Sequence, residues 1–157
     1  MSARGAQRCL WTYGLPWISP TTLRTLLTVA VIELRPEPTS PGRARRFVRS
    51  LMSDWGVGDQ VVDDAELLVT ELVTNAVIHA RTAVTLEVEA ADGTVRFKVS
   101  DESPRRVEIK SPSPESATGR GLILLDQIAS EWEVTHTAAG KHVSFSLITD
   151  QHGSAVG

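Results

Sequence analysis

The stretch TAVTLEVEAADGTVRFKVSD, residues 82–101, constrains the fold more than any other part of the chain. Apolar and polar side chains alternate on both sides of Asp92-Gly93, a dipeptide typical of a two-residue hairpin turn. Alternation places every second side chain on the same face of a strand. We therefore predict an antiparallel hairpin with one apolar face, formed by Val84, Leu86, Val88, Ala90, Val95, Phe97 and Val99.

The segments around this hairpin predict helices that are grouped along the chain. Ser40 and Pro41 suit the N-cap and the first residue of an amphipathic helix. The order is a strand, two helices, the hairpin, a long polar loop, a helix and two strands. This order indicates an α+β fold, with a mostly antiparallel, mixed sheet and helices on one face. The expected helices cover about 40–56, 63–80 and 121–132, the last with Trp132 on its apolar face, and the other strands cover 28–34, 133–137 and 142–147.

Length and composition fit one globular domain. The chain has 157 residues, of which 41% are hydrophobic, and its formal net charge is -3. No broad basic surface is implied, so we expect no direct contact with nucleic acid. The one cysteine, Cys9, excludes an intrachain disulfide. We expect the domain to cover 28–149, between an irregular leader, 1–27, and a short tail, 150–157.

The apolar run 23–34 is too short to span a bilayer and is interrupted by Arg24 and Glu33. No small-residue cleavage site follows it, so it is a poor match to a signal peptide. We therefore expect a cytoplasmic protein without membrane association.

The second predicted helix contains an unusual pair of polar residues. In ELVTNAVIHA, residues 71–80, Glu71 and Asn75 lie among apolar side chains and, being four apart, share one helix face. An unpaired buried carboxylate costs about several kcal/mol. Glu71 therefore either pairs with an arginine, while Asn75 caps a backbone group, or both face a wet cavity or a bound cation.

Two further polar features follow. By alternation Asp101 continues the apolar face of its strand, where it either caps the loop or accepts a hydrogen bond from the amine of a nucleotide base. In TGRGL, residues 118–122, Gly119 and Gly121 flank Arg120 directly before the third predicted helix. Glycines let backbone approach an anion, and a helix N-terminus presents free N–H groups. Together the three features predict a nucleotide site in which Asn75 binds Mg²⁺ and Glu71 is a general base.

The motifs ELVTNAVIHA, VSDESP and GRGLILLDQIASEWEV, with GKHVSFSL after them, resemble the ATP-binding domain of the GHKL superfamily, which includes gyrase, Hsp90, histidine kinases and MutL. They are most similar to the anti-sigma regulatory factor serine/threonine-protein kinases of bacteria, and among these to small stand-alone regulators of actinobacteria. The resemblance covers roughly residues 29–149 and implies the Bergerat fold, a two-layer α/β sandwich.

The resemblance also implies roles for individual residues. Glu71 matches the catalytic base, Asn75 the magnesium ligand and Asp101 the aspartate that binds the adenine amino group. The segment 102–118 matches the ATP lid. The cofactors would be ATP and Mg²⁺, and the remaining nucleotide-binding positions would be Gly119, Arg120, Gly121 and Leu122.

Two departures from the family pattern stand out. The glycines that usually follow the aspartate are absent from Asp101-Glu102-Ser103-Pro104. Lys141 follows Gly140, where the family often has threonine.

The resemblance implies a protein serine/threonine kinase that sequesters a sigma factor and phosphorylates an antagonist protein. A second copy of the chain is a further candidate partner. The alternative is a non-catalytic module whose shape is set by nucleotide. A histidine kinase fragment ranks last, because the chain before residue 40 is too short for a phospho-acceptor helix pair. A zinc enzyme is not supported, since the four histidines show no ligand spacing.

Overall fold

A computed structural model describes residues 28–103 and 117–149. The predicted leader, residues 104–116 of the predicted lid and the predicted tail lie outside these described residues. The elements in chain order are β1 (Thr28–Leu34), α1 (Ser40–Asp54), α2 (Asp59–Asn75), a π-helical turn (Ala76–Ala80), β2 (Val84–Ala91), β3 (Thr94–Asp101), α3 (Ala117–Ile128), β4 (Glu131–Thr137) and β5 (Gly140–Ile148).

The strands form one five-stranded sheet in the order β1-β2-β3-β5-β4. The predicted hairpin is present, with β2 and β3 paired antiparallel from Val84 opposite Asp101 to Ala91 opposite Thr94. The α+β fold class is confirmed. The expected parallel component of the sheet is absent among the described residues, because all four strand pairings are antiparallel.

The helices pack on the apolar face of the sheet, which we call the inner face. Phe97 on β3 and Phe145 on β5 stack at its centre, with ring centroids 4.7 Å apart. The opposite, outer face is mostly polar, with Val29, Val31 and Ile148 exposed on it, and carries a cross-strand ion pair of 3.3 Å between Lys98 and Glu87. Because only the inner face of the sheet is buried, the helices of the described chain all lie on that side of the sheet. The core residues from the helices are Ala44, Val48, Met52, Val62, Ala65, Leu68, Val69, Leu72, Val73, Ala76 and Leu125.

A salt-bridge cluster joins α1 to α2 at the surface. The guanidinium of Arg49 donates to both carboxylate oxygens of Glu66, at 2.6 and 2.7 Å, and to Asp63 at 2.8 Å. Hydrogen bonds to Glu66, and then to Asp63, raise the pKa of Arg49 above its usual value. This bidentate geometry fixes the relative positions of the two helices.

Several predicted boundaries were wrong by a few residues. Ser40 is not the N-cap, because Thr39 holds that position and the Ser40 hydroxyl donates to the Arg35 carbonyl. Trp132 lies on β4 and not on the third helix. The helix ends earlier because the backbone N–H and the hydroxyl of Ser130 both donate to the Ser146 carbonyl, each at 2.9 Å, and draw the chain into the sheet.

In the described part of the chain, no helix combines the length and the apolarity that crossing a membrane requires.

Gly140, at the start of β5, lies against the end of β3. Its φ is +155°, and a Cβ there would overlap the Asp101 carbonyl oxygen and come within 2.8 Å of the Glu102 Cα. Both are backbone atoms and cannot rotate away. Only glycine therefore lets β5 approach the end of β3 this closely.

We expect Gly140→Ala to lower the free energy of unfolding by about 3 kcal/mol, because the added methyl forces two strands apart. Gly42→Ala is the matched control. A Cβ at Gly42 meets only the flexible end of Arg46, at 3.5 Å, so this helical substitution should stabilise by about 0.5–1 kcal/mol. Urea denaturation of both variants measures the difference, and equal stability of the two would contradict the steric assignment.

Candidate functional site

The end of α2 carries the predicted polar pair. Glu71 and Asn75 are both half-buried and lie one turn apart, while Leu72 and Val73 between them point into the core. Among the described residues, neither Glu71 nor Asn75 has a hydrogen-bond or ion-pair partner. The arginine pairing and the backbone cap considered for these two residues are therefore not found in the described part of the chain.

A change of helical geometry follows Asn75 directly. Residues Ala76–Ala80 form a π-helical turn, closed by a 3.3 Å hydrogen bond from the Arg81 N–H to the Ala76 carbonyl. Arg81 then takes a left-handed conformation, with φ of 54°, which ends the helix. Single π-turns often occur at functional sites because they widen the helix and redirect its side chains.

The side chain of Asn75 packs against the start of α3. A Cβ on Gly121 would lie only 3.1 Å from the Asn75 amide nitrogen and 4.0 Å from the Leu72 side chain. Gly121 is buried at this contact. The lack of a side chain at Gly121 therefore allows α3 to approach the polar end of α2.

Helix α3 begins earlier than the sequence predicted. It starts at Ala117, so Gly119 and Gly121 lie within its first turns and not in front of them. The free N–H groups of a helix belong to its first four residues, which here are 117–120. Arg120 is exposed, whereas Leu122 packs against the hydrophobic core.

Asp101 occupies the inner face, as the alternation predicted. It is only 7% exposed and follows the buried Val95, Phe97 and Val99. Its Oδ1 accepts a 2.9 Å hydrogen bond from the Ser103 N–H. Its Oδ2 lies 3.8 Å from the Nζ of Lys141, the residue directly opposite on β5. A buried carboxylate is thus held by one backbone donor and one counter-charge.

A cavity of about 280 Å³ lies at the end of the sheet where β3 stops. It touches Asp101, Gly140 and Lys141, and its lining includes Thr85, Ser100 and His142, which lie on the outer face. Larger depressions, of about 510 and 450 Å³, lie on the outer face around Arg96. The sheet separates those depressions from α2, so we do not assign them to the Glu71 and Asn75 site.

The polar groups present suit a magnesium ion that is shared with phosphates. No three His, Cys, Asp or Glu side chains come together anywhere in 28–103 or 117–149. Mg²⁺ often takes only one or two protein oxygens and completes its coordination with water and phosphate. The amide of Asn75 lies next to α3, has no side-chain partner within 28–103 or 117–149, and carries an oxygen of the kind that Mg²⁺ prefers.

The structure brings some predicted site residues together and separates others. Asn75 contacts Gly121, Glu71 lies one turn away, and Asp101 lies on the same helix-covered face at a strand end. The roles assigned to them remain predictions. The sequence reasoning named Lys141 only as a departure and did not predict its contact with Asp101. That contact depends on the pairing of β3 with β5, for which a single sequence gives no signal.

Comparison with solved structures finds the same fold in, among others, three structures of two proteins. The RsbU and RsbW domains of Rv1364c from Mycobacterium tuberculosis match with a TM-score of 0.63 and 20% identity, over 78% of this chain and 32% of that one. The blue-light activated histidine kinase EL346 of Erythrobacter litoralis matches with a TM-score of 0.54 and 22% identity, over 71% of this chain and 41% of that one. A structure of its histidine kinase domain matches with a TM-score of 0.51 and 21% identity, over 72% of this chain and 61% of that one.

This chain therefore spans about a third of the mycobacterial chain and less than two thirds of each of the others. Comparison with curated proteins finds no match. The family described as the histidine kinase-like ATPase domain matches residues 34–147, which is most of the chain and includes Glu71, Asn75, Asp101 and the α3 glycines. The chain belongs to the histidine kinase-like ATPase domain family.

Proposed function

We propose that this chain binds ATP with Mg²⁺ and transfers the γ-phosphoryl group to a serine or threonine of an antagonist protein, and that it sequesters a sigma factor. The observation that carries the proposal is the pair of Glu71 and Asn75, which lie one helical turn apart, have no side-chain partner among the described residues and place Asn75 against the start of α3. Both side chains are half-buried beside core residues of α2, and a ligand is the reason we assign to two polar groups at these positions.

Each residue has a separate task in this proposal. Asp101 accepts a hydrogen bond from the base, and the free N–H groups at the start of α3 bind phosphate oxygens. The oxygen of Asn75 would hold Mg²⁺, which neutralises phosphate charge when bound. A carboxylate oxygen of Glu71 accepts the proton of the attacking hydroxyl. Phosphoryl transfer requires mainly positioning and charge neutralisation, which this small set of groups supplies.

The proposed partners are suggested by the proteins that this chain resembles. The mycobacterial structure contains an RsbW domain beside an RsbU domain. Its likeness to this chain, together with the resemblance of the motifs to anti-sigma regulatory kinases, supports a sigma factor and an antagonist protein as partners. In the alternative function, nucleotide only sets the shape of the binding surface and no phosphoryl group is transferred.

We expect Asp101→Asn to weaken ATP binding by about tenfold to a hundredfold, because a charge-assisted hydrogen bond to the base is lost. Isothermal titration of ATP into both proteins measures the change. Asp54→Asn is the control, since Asp54 is exposed at the end of α1 and should bind ATP like the wild type. Unchanged affinity in Asp101→Asn would refute the base contact.

We expect Asn75→Ala to abolish the increase in ATP affinity that Mg²⁺ produces, because alanine has no oxygen for the metal. Asn75→Asp retains an oxygen at the same position and should keep the Mg²⁺ dependence. The measurement is ATP affinity of the three proteins with Mg²⁺ and with a chelator. Equal Mg²⁺ dependence in Asn75→Ala and wild type would remove Asn75 from the metal site.

The decisive prediction concerns Glu71. We expect Glu71→Gln to slow phosphoryl transfer by about two to four orders of magnitude and to leave ATP affinity nearly unchanged, since a general base acts on the transition state. Radiolabelled ATP with co-encoded candidate partners measures transfer, and Glu89→Gln on the outer face is the control.

Absence of label in the wild type and in Glu71→Gln, with ATP binding intact in both, favours the nucleotide-gated module over the kinase. Equal labelling of the two proteins excludes Glu71 as the base.

A further inference from the structure

We propose that Lys141 is a second base-reading residue beside Asp101, and that it extends the selectivity of the site from the amino purine of ATP to the keto purine of GTP. This inference rests on the proposed function, because it requires Asp101 to face a nucleotide base. It concerns a position at which this chain departs from the family pattern, with lysine in place of threonine, and to which the catalytic assignment gives no role.

The first argument is the position of the lysine. Lys141 lies directly opposite Asp101 on the neighbouring strand, and its side chain is 18% exposed, against 4% for Asp101. Lys141 is thus half-buried on the inner face, with its ammonium next to the one buried carboxylate of β3.

The second argument is the distance between the charged groups. The Nζ of Lys141 and the Oδ2 of Asp101 are 3.8 Å apart, beyond the hydrogen-bond range of about 2.7–3.2 Å. The ammonium is therefore near enough to neutralise the carboxylate, while its three N–H groups donate to no acceptor among the described residues. The carboxylate likewise retains acceptor capacity, since the Ser103 N–H occupies only Oδ1.

The third argument is the pattern that these two groups present. An amino purine offers an N–H donor beside a ring-nitrogen acceptor, and a keto purine offers an oxygen acceptor beside a ring N–H donor. A carboxylate alone accepts a hydrogen bond from the amino group of ATP but repels the keto oxygen of GTP. With an ammonium beside it, the site holds one acceptor and one donor, so either edge finds both partners.

This pattern of one acceptor and one donor predicts that the site discriminates only weakly between ATP and GTP. Sites that hydrogen-bond a substrate group strongly reject an analogue that leaves their polar groups unpaired. Lys141 removes that penalty for the keto purine by giving its oxygen a donor. If Lys141 were only a counter-charge for Asp101, its removal would weaken the binding of both nucleotides to the same degree.

The test is isothermal titration of ATP and GTP, each with Mg²⁺, into the full chain. We expect wild-type affinities for the two nucleotides within about tenfold, and a GTP affinity in Lys141→Met that falls at least about tenfold more than its ATP affinity. Lys98→Met is the matched control, because Lys98 forms a similar cross-strand pair with Glu87 on the outer face. It should leave both affinities unchanged.

A measurement on the wild type covers the case in which Lys141→Met does not fold. Inosine triphosphate carries the keto oxygen, and purine riboside triphosphate has no group at that position. We expect the inosine nucleotide to bind at least about tenfold more tightly, since its keto oxygen and ring N–H engage both Lys141 and Asp101, whereas purine riboside triphosphate offers only a ring-nitrogen acceptor to Lys141.

Equal binding of the two analogues, or an equal loss of ATP and GTP affinity in Lys141→Met, overturns the inference. A wild type that binds ATP but rejects GTP by more than about a hundredfold overturns it as well and leaves the proposed function standing. A wild type that binds no nucleotide refutes the proposed function itself.

Discussion

The helices of the described chain pack on one side of the sheet because that side carries a continuous apolar surface across the strands. The alternation in β2 and β3 places Leu86, Val88, Phe97 and Val99 on the inner face and leaves charged side chains such as Lys98 outside. Burying these side chains supplies the main driving force for packing the helical layer against the sheet. The position of α2, and with it the site, follows from this one-sided burial.

On such a face, polar side chains stand out as exceptions that need a reason. Asp101 interrupts the apolar series of β3 at its last residue, and Glu71 and Asn75 interrupt that of α2 at its end. These exceptions lie at element ends, where backbone donors and solvent can reach them. The structure gives Asp101 two partners and gives the α2 pair none among the described residues. A ligand is accordingly the stronger explanation for α2.

The sequence predicted the elements well because their causes are local. The alternation of apolar and polar residues, together with Asp92-Gly93, specified the β2–β3 hairpin. The same alternation placed Asp101 on the inner face. Boundaries set by distant groups were missed. Trp132 fitted a helical spacing, but the hydrogen bonds between Ser130 and Ser146, which are 16 residues apart, end α3 first. The contact of Lys141 with Asp101 was also out of reach, because it joins strands that are not neighbours in sequence.

The end of β3 is held by contacts that do not require nucleotide. Gly140 packs against the Asp101 backbone, the Ser103 N–H fixes one carboxylate oxygen, and the Glu102 N–H donates to the Thr82 hydroxyl at 3.1 Å. A group that is already ordered loses little conformational entropy when a ligand arrives, so its hydrogen bond contributes more fully to affinity. The α2 pair has no such support, because neither side chain is fixed by a hydrogen bond within the described residues. We therefore infer that, in the proposed function, the Asp101 end of the site is preformed and sets selectivity. In the same proposal, the Glu71 and Asn75 end takes its final geometry when phosphate and metal bind.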